Sequence, residues 1–266
     1  MSNSSDYIYE KLFINSAENS NISVFIAGAE NSGATWCALS IAHALNLMQK
    51  KVLLIDSNGN FSNICTYLSL NNQFFLEDYF LGKKTLNQLL IAYKNKDFNL
   101  LTSKSGSNFL YDQPNGRIQI FADDVKILAE NYEQTIIDLG SNDIEKKLNI
   151  CKLANNNIIV CSENNTDLAR TFDTIKLLNE SQIDTNYYLI INKVASFEDG
   201  YKIYEKLTKA LERNNLKSPE LLGIIRFDTR VRDTIKNKEL LMSRYSESEA
   251  AIDIANISKK LDWELI

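Results

Sequence analysis

Residues 22–35 read Ile-Ser-Val-Phe-Ile-Ala-Gly-Ala-Glu-Asn-Ser-Gly-Ala-Thr. An unbroken apolar run passes through two glycines directly into a helical pattern, carried by Ala38, Ile41, Ala42 and Leu45 to about residue 49. A buried strand feeding a helix through a glycine-bearing loop opens a parallel α/β sheet, and it is the setting in which backbone amides cradle phosphate. That loop needs glycines, a helix start, a lysine at the phosphates and a Ser or Thr for magnesium. Gly28, Gly33 and Thr35 keep the spacing, but Ala34 stands where the lysine belongs. Backbone amides and the helix dipole still attract an anion. The cation that would offset charge on a phosphoryl group in transfer is absent from the loop, and Glu30 adds a carboxylate beside it.

The same strand–helix alternation continues. Apolar runs at 52–55, 135–139, 157–160, 187–192 and 221–225 predict strands, the first two closing on Asp56 and Asp138. A helix or turn is expected near 64–70, and helices at 86–93 (with Thr85 as cap), 122–131, 165–180, 201–213, 229–237 and 247–260. Residues 71–84 read as irregular and 97–121 as the least regular stretch, with a turn at Asn115-Gly116 and a strand at 117–121. The fold class is α/β, a mostly parallel central sheet with helices on both faces. Residues 1–21 form a polar arm, whose apolar patch 7–13 suits docking on the body or on a partner, and 22–266 form the domain. The loops after 27, 55, 138 and 192 then line one edge of the sheet, where ligands of such folds sit.

Composition narrows the function. The 266 residues carry a net charge of −5, which gives general DNA binding no support. Lys202, Lys206, Lys209, Arg213 and Lys217 follow helical spacing, but Glu205 and Glu212 interrupt them, so a solvated face is expected and no specific nucleic acid. Four cysteines without CxxC spacing predict reduced core thiols in a cytoplasmic protein. His43 is the single histidine and lies inside a helical pattern, which leaves a zinc site unsupported. No stretch reaches the 18 or so apolar residues of a membrane span. The C-terminal Trp263, Leu265 and Ile266 are too few to make a stable membrane anchor.

Asp56 and Asp138 are candidate partners of magnesium or its waters, together with Thr35. Asn58 and Asn63 are amides, which orient a water but cannot take its proton near neutral pH.

From residue 22 to about 260 these blocks resemble the MinD/ParA/FlhG family of deviant-Walker P-loop ATPases. The family opens with Gly-Lys-Gly-Gly-x-Gly-Lys-Thr, and residues 28–35 stand in its place. The family's signature lysine falls on Ala29 and the ordinary Walker lysine on Ala34. Its Asp-x-Asp and downstream Asn fall on Asp56, Asn58 and Asn63. Its Asp-x-Pro-Ala-Gly switch is reduced to Asp138-Leu-Gly-Ser-Asn. Residues 159–167, 189–194 and 222–233 resemble its later blocks, in which Asn192 takes the place of the asparagine that contacts adenine.

The resemblance implies a P-loop NTPase architecture with Gly28, Gly33, Thr35, Asp56, Asn63, Asp138 and Asn192 around a nucleotide, and ATP or ADP with magnesium held weakly or not at all. No catalytic residue is assigned. Relatives dimerise around two ATP molecules; here the chain dimerises without the signature lysine, stays monomeric, or pairs with an intact homologue. The implied function is a degenerate regulator or scaffold working through protein contacts on a flagellar, division or secretion machine. Two alternatives stand beside it: a slow genuine ATPase gripping through another lysine such as Lys83 or Lys193, and a ParA-like DNA-partition protein.

Overall fold

The computed structural model describes residues 21–59, 63–106, 109, 112–140, 144–183 and 185–263. The arm at 1–20, its apolar patch, and Leu265 and Ile266 lie outside the described residues, as does the side chain of Trp263. Eight strands form one sheet in the order β3-β4-β2-β5-β1-β6-β7-β8. They are β1 (Ile22–Ala27), β2 (Val52–Asp56), β3 (Ile91–Ala92), β4 (Phe98–Thr102), β5 (Gln134–Asp138), β6 (Asn156–Ser162), β7 (Asn186–Val194) and β8 (Glu220–Arg226). Every pairing is parallel except the short β3–β4 edge.

Alternation along the strands sorts the core into two layers. Phe25, Leu54, Ile136, Ile158 and Ile190 face α1 (Ala34–Leu47) and its neighbours. Val24, Leu53, Ile137, Ile159 and Leu189 face the other way, beneath α5 (Asn115–Ala129), α7 (Asn165–Glu180) and α8 (Phe197–Arg213). Central strands buried on both faces explain the continuous apolar runs. The remaining helices are α2 (Ile64–Leu68), α3 (Leu76–Phe80), α4 (Leu86–Leu89), α6 (Ile144–Cys151), α9 (Thr229–Asn237), α10 (Leu241–Arg244) and α11 (Glu249–Trp263).

The expected strand at 117–121 and the Asn115-Gly116 turn are both corrected: these residues open α5. Ile118, Phe121, Ala122, Val125 and Leu128 are buried at helical spacing while Ile120 is exposed, so the longer 3.6-residue period overrides a five-residue alternation and a turn dipeptide. Residues 71–84 hold α3, whose start is tied by Asp78 accepting the Phe75 amide at 3.1 Å. The stretch read as least regular contains β4, paired in register with β2. The helix expected at 86–93 ends at Leu89, and β3 follows it. Cys161, one residue beyond the strand expected at 157–160, lies within β6. Helix α6 was unexpected because it is short and rich in charge. No helix among the described residues is long and apolar enough to cross a membrane.

Candidate functional site

The parallel order brings the carboxyl ends of β1, β2, β5 and β7 to one edge, where the loops after them meet. The loop after β1 is anchored by Gly28, whose amide donates to Val160 O at 2.9 Å. Gly33 caps α1 at φ 92°, and no side chain caps the helix there. Left-handed backbone at this junction suits glycine, and a Cβ on Gly33 would lie 2.4 Å from Asn192 Nδ2. Asn192 itself donates to Ser32 O at 2.8 Å, binding β7 to the loop. The Ser32 hydroxyl is buried and lacks a hydrogen-bond partner. Glu30 is exposed.

Beneath the loop, Thr35 and the two aspartates form one network. The Thr35 hydroxyl donates to Asp138 Oδ2 at 2.6 Å, and Asn58 Nδ2 donates to Thr35 Oγ1 at 3.1 Å. Asp138 Oδ1 accepts the Gly140 amide at 3.2 Å. Asp56 Oδ1 and Oδ2 accept the amides of Asn58 and Ile64 at 3.1 and 2.8 Å. Burial pushes Asp56 well above the usual carboxylate range, and the neighbouring Asp138 adds to the rise. Burial also raises Asp138, against the pull of the Thr35 hydroxyl, the Gly140 amide and the charge of Lys147.

Lys147 was missed by sequence reasoning. It is only 3% exposed and donates to the Leu139 carbonyl beside Asp138. The signal was available: Lys147 occupies the apolar stripe of α6 with Ile150 and Cys151, where a lysine is out of place without an acidic or carbonyl neighbour.

Of the two lysines considered as replacements, the structure brings only Lys193 to the loop. Its Nζ donates to Asn31 O. Lys83 lies elsewhere, paired with Asp78 at 3.4 Å. Beside Lys193 is a cavity of about 250 Å³ lined by Gly33, Trp36, Asn192, Phe227 and Val231 among others, an aromatic-edged slot at the start of α1. Asn63 turns away from the loop: its Oδ1 caps α2 at Thr66 N (3.1 Å), and its Nδ2 reaches Ser103 O (3.2 Å).

These residues fit a nucleotide unevenly. The uncapped start of α1, the partnerless Ser32 hydroxyl and the adjoining slot suit a phosphate chain with a planar base. A magnesium ion fits less well. Asp56 is committed to backbone amides, and Thr35 and Asp138 satisfy one another. Bound ATP would supply an anhydride, and this chain offers it amides, hydroxyls and Lys193. Elsewhere, His43 is buried against Phe98 with ring centroids 6.4 Å apart. On α8, Lys202 pairs with Glu198 at 2.7 Å and Lys209 with Glu205 at 3.2 Å, so part of this basic face is neutralised within its own helix.

No family model matches the chain. It is 23% identical over 243 residues to the antiactivator FleN of Pseudomonas aeruginosa, covering 90% of this chain and 85% of FleN. The cell division ATPase MinD of Pyrococcus furiosus superposes with a TM-score of 0.76 at 15% identity, over 92% of this chain and 99% of that one. A ParA family ATPase from Chlorobium tepidum gives 0.75 at 16% identity, over 90% and 99%. The chain is thus similar in sequence to FleN and shares the fold of the MinD and ParA ATPases, a mostly parallel sheet flanked by helices.

Proposed function

We propose that this protein is a MinD/FlhG-type regulator that works through contacts with other proteins and has lost most of its phosphoryl-transfer chemistry. One observation carries the reading: positions 29 and 34 are alanines in a loop whose magnesium-type threonine is closed onto Asp138 at 2.6 Å. Without a lysine in the loop itself, charge developing on a phosphoryl group is met by amides and hydroxyls, with Lys193 of β7 as the cation that reaches the loop. Likeness to an antiactivator supports action on a partner protein, and the machine it serves is of the flagellar or division class.

The test is calorimetric titration with magnesium–ATP, joined to native mass measurement and phosphate release. Expected are weak binding, release at background, and no change of mass on adding ATP. Steady-state turnover that Asp56→Ala abolishes would overturn the proposal.

A second reading has one observation in its favour. Lys193 reaches the loop at Asn31, so a slow ATPase gripping phosphate through this side chain is the competitor. Turnover lost in Lys193→Ala, with the fold intact by circular dichroism, would select it.

A further inference from the structure

Outside the loop region a groove of about 640 Å³ lies between α3–α4 and the outer side of α5. Leu81 at its edge is 54% exposed, and Ile120 and Ile127 on its wall are 60% and 64% exposed. Such large apolar side chains gathered beside one groove mark a docking surface. Its rim carries Lys84 and Arg117, together with Lys83, which already pairs with Asp78. Its one acid, Asp124, already accepts the Tyr79 hydroxyl at 2.6 Å. The groove therefore asks for an apolar occupant with acidic neighbours.

The chain contains such a segment, and it enters the fold beside this groove. Asn21 Nδ2 donates to Glu133 O at 2.9 Å, and Asn21 O accepts the Thr135 amide at 2.9 Å. Glu133 follows two residues after Asn131, which closes the lower end of the groove. Residues 6–14 read Asp-Tyr-Ile-Tyr-Glu-Lys-Leu-Phe-Ile, six apolar or aromatic side chains with Asp6 and Glu10 among them. The seven residues 15–21 reach roughly 23 Å when extended. The path from Asn131 back along α5 to Ile120 covers about 16 Å, so the tether spans the groove.

We infer that residues 7–14 of the same chain occupy this groove, with Asp6 and Glu10 meeting its basic rim. The arm then acts as an internal plug over an apolar surface, and a partner that binds the groove competes with it. The inference stands apart from nucleotide binding.

Lys11 is the sole trypsin site in residues 1–20, so cleavage there reads docking directly in the full-length protein. The Ile120→Asp/Ile127→Asp double variant alters two exposed positions and leaves the core untouched. Cleavage after Lys11, followed by mass spectrometry, is expected to be about tenfold faster in this variant than in the parent, because proteolysis follows the undocked population. Equal rates overturn the inference. So does a protection that grows with protein concentration, since the groove then belongs to a second copy. As an independent measurement, Phe13→Cys paired with Ile127→Cys is expected to form a disulfide within a monomer. The native cysteines are buried and do not compete. A covalent dimer, or no bond, overturns it.

Discussion

Asp56 and Asp138 are register partners at the ends of adjacent strands β2 and β5, each fully buried. Two carboxylates side by side away from water raise one another's affinity for protons, and burial drives both upward. Amides on Asp56, and a hydroxyl, an amide and the Lys147 charge on Asp138, keep the pair tolerable.

Neutralising one member relieves the other. Asp138→Asn keeps an acceptor for the Gly140 amide and removes the like-charge contact. The raised folded-state values mean the native protein binds protons more tightly than the unfolded chain above pH 3.8. Stability from this pair is therefore present at low pH and lost as pH rises through the folded values. The variant is expected to match or exceed the parent in urea denaturation at pH 8, and to gain less at pH 5. An equal loss at both pH values would show that the carboxylate is needed for its hydrogen bonds alone.

The loop after β5 rests on one glycine. Gly140 has φ 64°, and a Cβ there would lie 2.4 Å from Asn58 Oδ1. Gly140→Ala is expected to cost about 1–3 kcal/mol, from left-handed strain and displacement of Asn58. Adding Asn58→Ala removes the collision and leaves the strain, so the double variant should be more stable than the sum of the two singles. Strict additivity in a thermal double-mutant cycle would refute this contact.

Returning the missing cation tests whether the loop is open. Ala34→Lys places an ammonium at the start of α1, and one charge-assisted hydrogen bond of about 1.5–3 kcal/mol corresponds to at least a tenfold gain in ATP affinity. Calorimetry on parent and variant at matched salt reads it. No gain would indicate a loop closed to phosphate.

His43 offers a direct probe of burial. Desolvation, with Lys94 nearby, lowers its pKa from 6.5 to about 4. The folded protein thus holds it neutral while the unfolded chain protonates near 6.5. Its contribution is fully present above pH 6.5 and lost as pH falls toward 4, amounting to roughly 3 kcal/mol. As the single histidine, it gives one imidazole signal in a proton NMR titration. A midpoint near 6.5 would place the ring in water.

The sequence by itself determined the five central strands β1, β2, β5, β6 and β7, because residues buried on both faces must be apolar throughout and such runs are readable without neighbours. It also determined the loop: two glycines, a threonine and an alanine in the lysine's place are local facts. The helix at 165–180 was readable for the same reason, since Asn164 caps it locally by accepting the amides of Thr166 and Asp167. Only the tertiary structure decided that 115–121 is helix, that Lys147 lies beside Asp138, that Lys193 and not Lys83 reaches the loop, and that Asn63 serves as a cap. Each depends on what a side chain meets across the sheet or from a distant helix. Packing and desolvation act between residues far apart in the chain, and no local pattern records them.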